Sequence, residues 1–170
     1  MSTDDINPFM DEKDAEKFYD ENKYSTLLVN TEEFSKKNKN RVKELVDLFV
    51  LGDRESKDEA LKLIKEFEGK EILLEAVAQP EFLKHRAVLV AACWECGLDF
   101  SRFFDFFMYL TLSADYLVTL EAITVIESME EKIPEEILKI AKEKLEEAIA
   151  KNDDKKILLE DLKAILEVKG

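Results

Sequence analysis

Asp99-Phe100-Ser101-Arg102-Phe103-Phe104-Asp105-Phe106-Phe107-Met108-Tyr109-Leu110-Thr111-Leu112-Ser113 is the stretch whose reading decides how this chain folds. At 100° per residue, Phe100, Phe103, Phe104, Phe107 and Met108 form a broad apolar arc, widened on one flank by Phe106 and Leu110. Such a helix suits a central position, packed by neighbours on both sides. The alternative is that part of the aromatic arc is an exposed patch for a partner. The opposite stripe is narrow and holds Ser101, Arg102, Asp105 and Tyr109, with Leu112 at its edge. It reads as the solvent side of the helix. Arg102, Asp105 and Tyr109 are therefore candidate protein-contact residues, since tyrosine and arginine are enriched at binding hot spots.

Outward from this helix the punctuation stays helical. Only four glycines and three prolines occur. Gly52, Gly69 and Gly97 each follow an apolar-periodic run, where a left-handed residue ends a helix. Pro8, Pro80 and Pro134 each open a run of helix formers, where a missing N–H costs nothing. Asn30 with Glu33, and Ser56 with Glu59, have the spacing of reciprocal N-terminal caps. Helices are expected near 38–51, 56–68, 70–78, 80–96, 100–112, 115–129, 134–150 and 154–168. Their short connections make consecutive helices antiparallel neighbours. Only Ser25 to Val29 suggests a strand, and it has no partner. Residues 1–30 read as an acidic, loosely structured arm and 31–170 as a single α-helical domain. Glu135 with Lys139, and Lys142 with Glu146, mark a solvated outer face on the terminal pair.

Composition narrows the function classes. The chain has 170 residues, 46% of them hydrophobic and 38% charged, enough for one core under a charged surface. No apolar run approaches the ~20 residues of a membrane span. The N-terminus lacks the basic start and apolar stretch of a secretory signal. With two cysteines, the expected address is the cytoplasm. A net charge of −14 would be repelled by a phosphate backbone, so nucleic acid is not an expected partner. That acidity serves solubility, or it faces a partner with a basic surface.

Two helices carry a small-residue pattern that resembles the first helix of HEAT or armadillo-type repeats. In one, Pro80 leads to His85-Arg86-Ala87-Val88-Leu89-Val90-Ala91-Ala92, and in the other Asp115 leads to Val118-Thr119-Leu120-Glu121-Ala122-Ile123. The resemblance covers residues 56 to 168. Arg86 matches an arginine that such helices often carry, whereas Thr119 stands at the equivalent place in the second helix and Leu89 stands where an alanine is expected. The resemblance implies stacked antiparallel hairpins in a right-handed superhelix that holds other proteins. A compact orthogonal helical bundle is the competing all-α architecture.

Cys93-Trp94-Glu95-Cys96 has the C-x-x-C spacing of thiol oxidoreductases and zinc sites. In redox proteins the motif opens a helix, whose N-terminus stabilises the thiolate. Here it closes one, just before Gly97, and the residues read as small apolar packing groups. The single histidine, His85, lies about 16 Å along the helix from Cys96 and about 12 Å from Cys93, so the three cannot share a zinc ion. His85, Leu89, Ala92 and Cys96 line one face, which makes His85 a structural residue. Neither a nucleophile elbow nor a glycine-rich phosphate loop is present. No catalytic residue, metal ligand or cofactor is assigned. The expectation is a non-enzymatic protein-interaction module of HEAT-like type. One rival is an acidic inhibitor or immunity-type protein masking a basic site, and another is a thiol redox enzyme using Cys93 and Cys96.

Overall fold

The computed structural model describes residues 43–66, 68–151 and 154–170. The acidic arm, the Asn30–Glu33 cap, Pro8 and the Ser25 to Val29 segment lie outside the described residues. Within them the regular structure is entirely helical: α1 (43–51), α2 (Arg54–Glu66), α3 (Lys70–Ala78), α4 (Arg86–Glu95), α5 (Phe104–Ser113), α6 (Tyr116–Ser128), α7 (Glu135–Lys151) and α8 (Lys156–Lys169). Two 3-10 segments, Pro80–His85 and Ser101–Phe103, lead into α4 and α5. Pro80 thus opens a 3-10 turn rather than the α-helix expected from residue 80.

Helix ends follow the sequence with three corrections. The cap of α2 is Asp53, whose Oδ1 accepts from the Ser56 backbone N–H at 2.9 Å, so Ser56 lies inside the helix it was expected to start. Gly97 takes the left-handed conformation, with φ 73°, but after α2 that conformation falls on Glu68, with φ 50°. Gly69 follows it and closes the turn by donating to the Ile64 carbonyl at 2.8 Å. Gly52 has a different reason to be glycine: a Cβ there would lie 2.2 Å from the Leu48 carbonyl oxygen.

α5 is almost wholly buried. Phe104, Asp105, Phe106, Phe107, Met108, Leu110, Thr111 and Leu112 are all buried, as are Phe100 and Phe103 just before it. Phe107 meets Phe100 and Phe106 edge-on, with ring centroids 5.8 and 5.2 Å apart. No part of the aromatic arc is an exposed patch. The main helix contacts pair α3 with α4, α5 with α6 and α7 with α8, and then link α4 to α6, α6 to α8 and α5 to α7. Among consecutive helices, α3 packs on α4, α5 on α6 and α7 on α8. Leu45, Val46 and Phe49 of α1, with Ala60 and Ile64 of α2, join the same core.

Burying helix ends leaves carbonyls that need donors, and basic side chains from distant elements supply them. Arg86 Nε, in the first turn of α4, donates to Val77 O of α3 at 2.9 Å. Thr119 in the first turns of α6 reaches Thr111 O and Ala114 O at the end of α5, at 3.3 and 3.4 Å. Those bonds are long, and the buried Lys155 completes the corner. Its Nζ donates to Thr111 O and Ala114 O, both at 2.9 Å, and to Thr119 Oγ1 at 3.3 Å. Burial draws the Lys155 pKa below its ordinary value, and nearby Asp115 pulls the other way. Lys169 Nζ donates to Met129 O after α6 at 2.7 Å.

A second polar knot joins the α4–α5 loop to the α6–α7 loop. Asp99 Oδ1 accepts from the Ser101 N–H at 3.0 Å and the Glu130 N–H at 3.2 Å, while Ser101 Oγ accepts from Glu131 N at 3.0 Å. Burial opposes the charge on Asp99, but hydrogen bonds from the Ser101 hydroxyl and from the backbone of Glu130, Ser101 and Glu131 hold its pKa below the ordinary value.

Two outcomes follow. Lys155→Met removes the donor but keeps the chain's bulk, and leaving buried carbonyls unsatisfied should lower stability by about 1–3 kcal/mol in urea denaturation. An unchanged midpoint would mean that water replaces the ammonium. For Asp99 the folded pKa is depressed, so its stabilisation is complete above the unfolded value, about 4, and is lost as pH falls through the folded value. Asp99→Ala should thus lower the urea midpoint near neutral pH, and the gap from the parent should shrink on acidification below about pH 4. A gap independent of pH would contradict the role assigned to its charge.

Candidate functional site

α5 was expected to present an exposed stripe, and the structure breaks that stripe up. Arg102 is exposed and Tyr109 is half-buried against the core, but Asp105 is 1% exposed. The three do not form a continuous solvent-facing surface. Burial extends from the apolar arc across Asp105, Thr111 and Leu112, and α6 and α7 both pack on α5.

The C-x-x-C pair is packed as expected near a helix end. Both cysteines are free and buried. Cys93 Sγ donates to Leu89 O and Cys96 Sγ to Cys93 O, so each thiol proton stays within its own helix. Burial pushes the Cys93 pKa well above its ordinary value, with Cys96 adding to the rise, and burial also raises Cys96. Neither is an activated nucleophile. His85, preceding α4, is half-buried, and Leu89, Ala92 and Cys96 on its face are core. Among the described residues no three His, Cys, Asp or Glu side chains are placed to hold a metal ion.

One group of exposed apolar side chains lies on α4 and α6, beside α2. α6 turns Val118, Thr119, Ala122, Ile123, Val125 and Ile126 into the core, and the remaining large apolar residues, Tyr116, Leu117 and Leu120, point out. Leu117 is 61% exposed and Tyr116 51%. On α4, Leu89, Val90, Ala92 and Cys93 are core, which leaves Val88 at 41% and Trp94 at 39% outside. Between these helices and α2 runs a groove of about 500 Å³. Its apolar lining includes Leu61, Val88, Ala91 and Leu117, and its charged lining is Arg54, Lys57, Asp58, Glu95 and Glu121. Trp94 Nε1 donates to Glu121 Oε2 at 2.8 Å, tying α4 to α6 at the edge of the groove. Partial burial raises the Glu95 pKa, Glu121 and Asp58 raise it further, and Lys57 opposes them. Chemically the groove offers apolar contact area beside concentrated carboxylates and a half-exposed indole.

The signal for this face was present in the sequence. Leu117 and Leu120 are apolar residues in excess of what one buried stripe of α6 can use. Trp94 lay inside the C-x-x-C, where the cysteines drew attention from it. Comparison with protein-family models, with curated proteins and with solved structures finds no match to this chain. Among the described residues no helix is long and apolar enough to cross a membrane.

The packing of the thiols makes a direct prediction. At about pH 8, near the ordinary cysteine pKa, an aromatic disulfide reagent should leave both thiols unlabelled on the native protein and titrate two once it is unfolded. Fast native labelling would restore the thiol-enzyme reading.

Proposed function

We propose that this protein is a non-enzymatic interaction module of HEAT-like type, and that its partner is a protein lying across the α2, α4 and α6 face. The observation that carries this reading is the groove in which exposed Val88 of α4 and Leu117 of α6 meet Leu61 of α2, with Trp94 hydrogen-bonded across to Glu121 at its edge. Apolar side chains grouped in a groove mark an interaction site, whereas single exposed apolar residues do not. The order of helix contacts, hairpin by hairpin with α4, α6 and α8 in succession, supports the stacked-hairpin architecture. Arg86 and Thr119, the residues compared with the repeat pattern, occupy matching roles at the starts of α4 and α6, each donating to the end of the preceding helix. Two free thiols within one turn suit the cytoplasm. Arg102, in the 3-10 turn before α5, and Tyr109 of α5 are a second, smaller contact candidate.

The test takes the partner recovered with the tagged chain as bait and titrates it calorimetrically. Leu117→Glu and Val88→Glu should each weaken binding by about 2 kcal/mol, as at an interface hot spot, while the melting temperature stays within the small range of surface substitutions. Arg102→Ala should leave affinity nearly unchanged. Loss of affinity with Arg102→Ala and Tyr109→Ala, and none with Leu117→Glu, would move the contact surface to α5.

A further inference from the structure

The groove between α2, α4 and α6 has a chemistry that narrows the kind of segment it can hold. Its apolar lining includes Val88 and Ala91 of α4, Leu61 of α2 and Leu117 of α6. Its charged lining is Glu95, Glu121 and Asp58 together with Arg54 and Lys57, and Trp94 Nε1 donates to Glu121 at the edge. Glu95 and Glu121, carboxylates from different helices, repel one another, and a cation placed between them relieves that repulsion.

We propose, building on the reading of the chain as an interaction module, that this groove receives a protein segment carrying a lysine or arginine next to bulky apolar residues. The apolar residues pack on Val88, Ala91 and Leu117, and the cation docks on Glu95 and Glu121 beside Trp94. Three carboxylates against two cations in the lining favour a cation over an anion as the occupant. A second copy of the chain would bring another surface from a molecule of net charge −14, and a phosphate backbone or anionic membrane would meet the carboxylates with like charge. The apolar pocket among α1, α2 and α3, lined by Leu45, Leu48, Leu63, Ile64 and Ile72, has no comparable charge to specify what covers it.

Trp94 is the only tryptophan, so its fluorescence reports on the groove directly. The probe is a library of random dodecapeptides displayed on phage and selected on the full chain. Enriched peptides should carry a lysine or arginine within one helical turn of two large apolar residues, and the synthetic peptides should shift Trp94 emission. Replacing that lysine by norleucine should weaken binding about tenfold or more, the effect of losing one well-placed charge pair. Glu95→Gln should weaken the parent peptide similarly and add little to the loss of the norleucine peptide, since both changes remove one interaction. Leu117→Glu should weaken both peptides, and each variant must melt like the parent.

Other results overturn the proposal in distinguishable ways. Peptides sensitive to Leu117→Glu but indifferent to Glu95→Gln and to norleucine would keep the groove as a docking face and remove the cation. Binding indifferent to Leu117→Glu, with no change in Trp94 emission, would remove the groove as well. Failure to enrich any peptide also overturns the proposal. Sedimentation showing a dimer that Leu117→Glu dissociates would assign the groove to a second copy instead.

Discussion

A helix with no side left for water governs this structure. From Phe104 to Leu112 all but Tyr109 are buried, and Tyr109 is half-buried. Covering it takes α6 on one side and α7 on another. Burial of that extent also removes water from the carbonyls at its C-terminus, and each unsatisfied carbonyl would cost more than a typical hydrogen bond contributes. The side chains of Thr119 and Lys155 converge on that corner for this reason. A lysine buried without a carboxylate bonded to it would normally be unfavourable. Here the helix C-terminus, the negative end of the helix dipole, stands in for the missing anion.

The same arrangement connects stability to the proposed function. Acidic residues outnumber basic ones, and several of the cations are committed to helix ends: Arg86 to Val77, Lys155 to Thr111 and Ala114, Lys169 to Met129. Such cations are unavailable to neutralise carboxylates at the surface. The Glu95, Glu121 and Asp58 group is one place where that imbalance collects, and it does so next to the exposed apolar residues of α4 and α6. α4 and α6 pack on each other, and Val88 and Leu117, beyond their core stripes, line the same groove.

Much of this was legible in the sequence, and the failures share a cause. Helix positions were readable because glycines, prolines and apolar periodicity are local signals, and seven of the eight expected segments correspond to helices lying fully within the described residues. The phenylalanines of α5 read as core for the same reason. Asp105 did not, since a carboxylate on the polar stripe of a helix is assigned to solvent unless its spatial neighbours are known. Glu68 in the left-handed position and Asp53 as the cap of α2 each displaced a residue better suited by type, Gly69 and Ser56, by one or a few positions. The groove required three helices to be placed together, and no single-helix pattern contains it.

The account's central claim is that the α2, α4 and α6 face, and not the remainder of the surface, meets the partner. It is tested most directly by installing a photo-reactive benzoylphenylalanine at Leu117 of α6, and separately at the exposed Lys139 of α7, and irradiating cells that produce each protein. The account predicts a defined protein adduct from position 117 and none from position 139. Adducts from 139 alone, or equal yields from both positions, would contradict it.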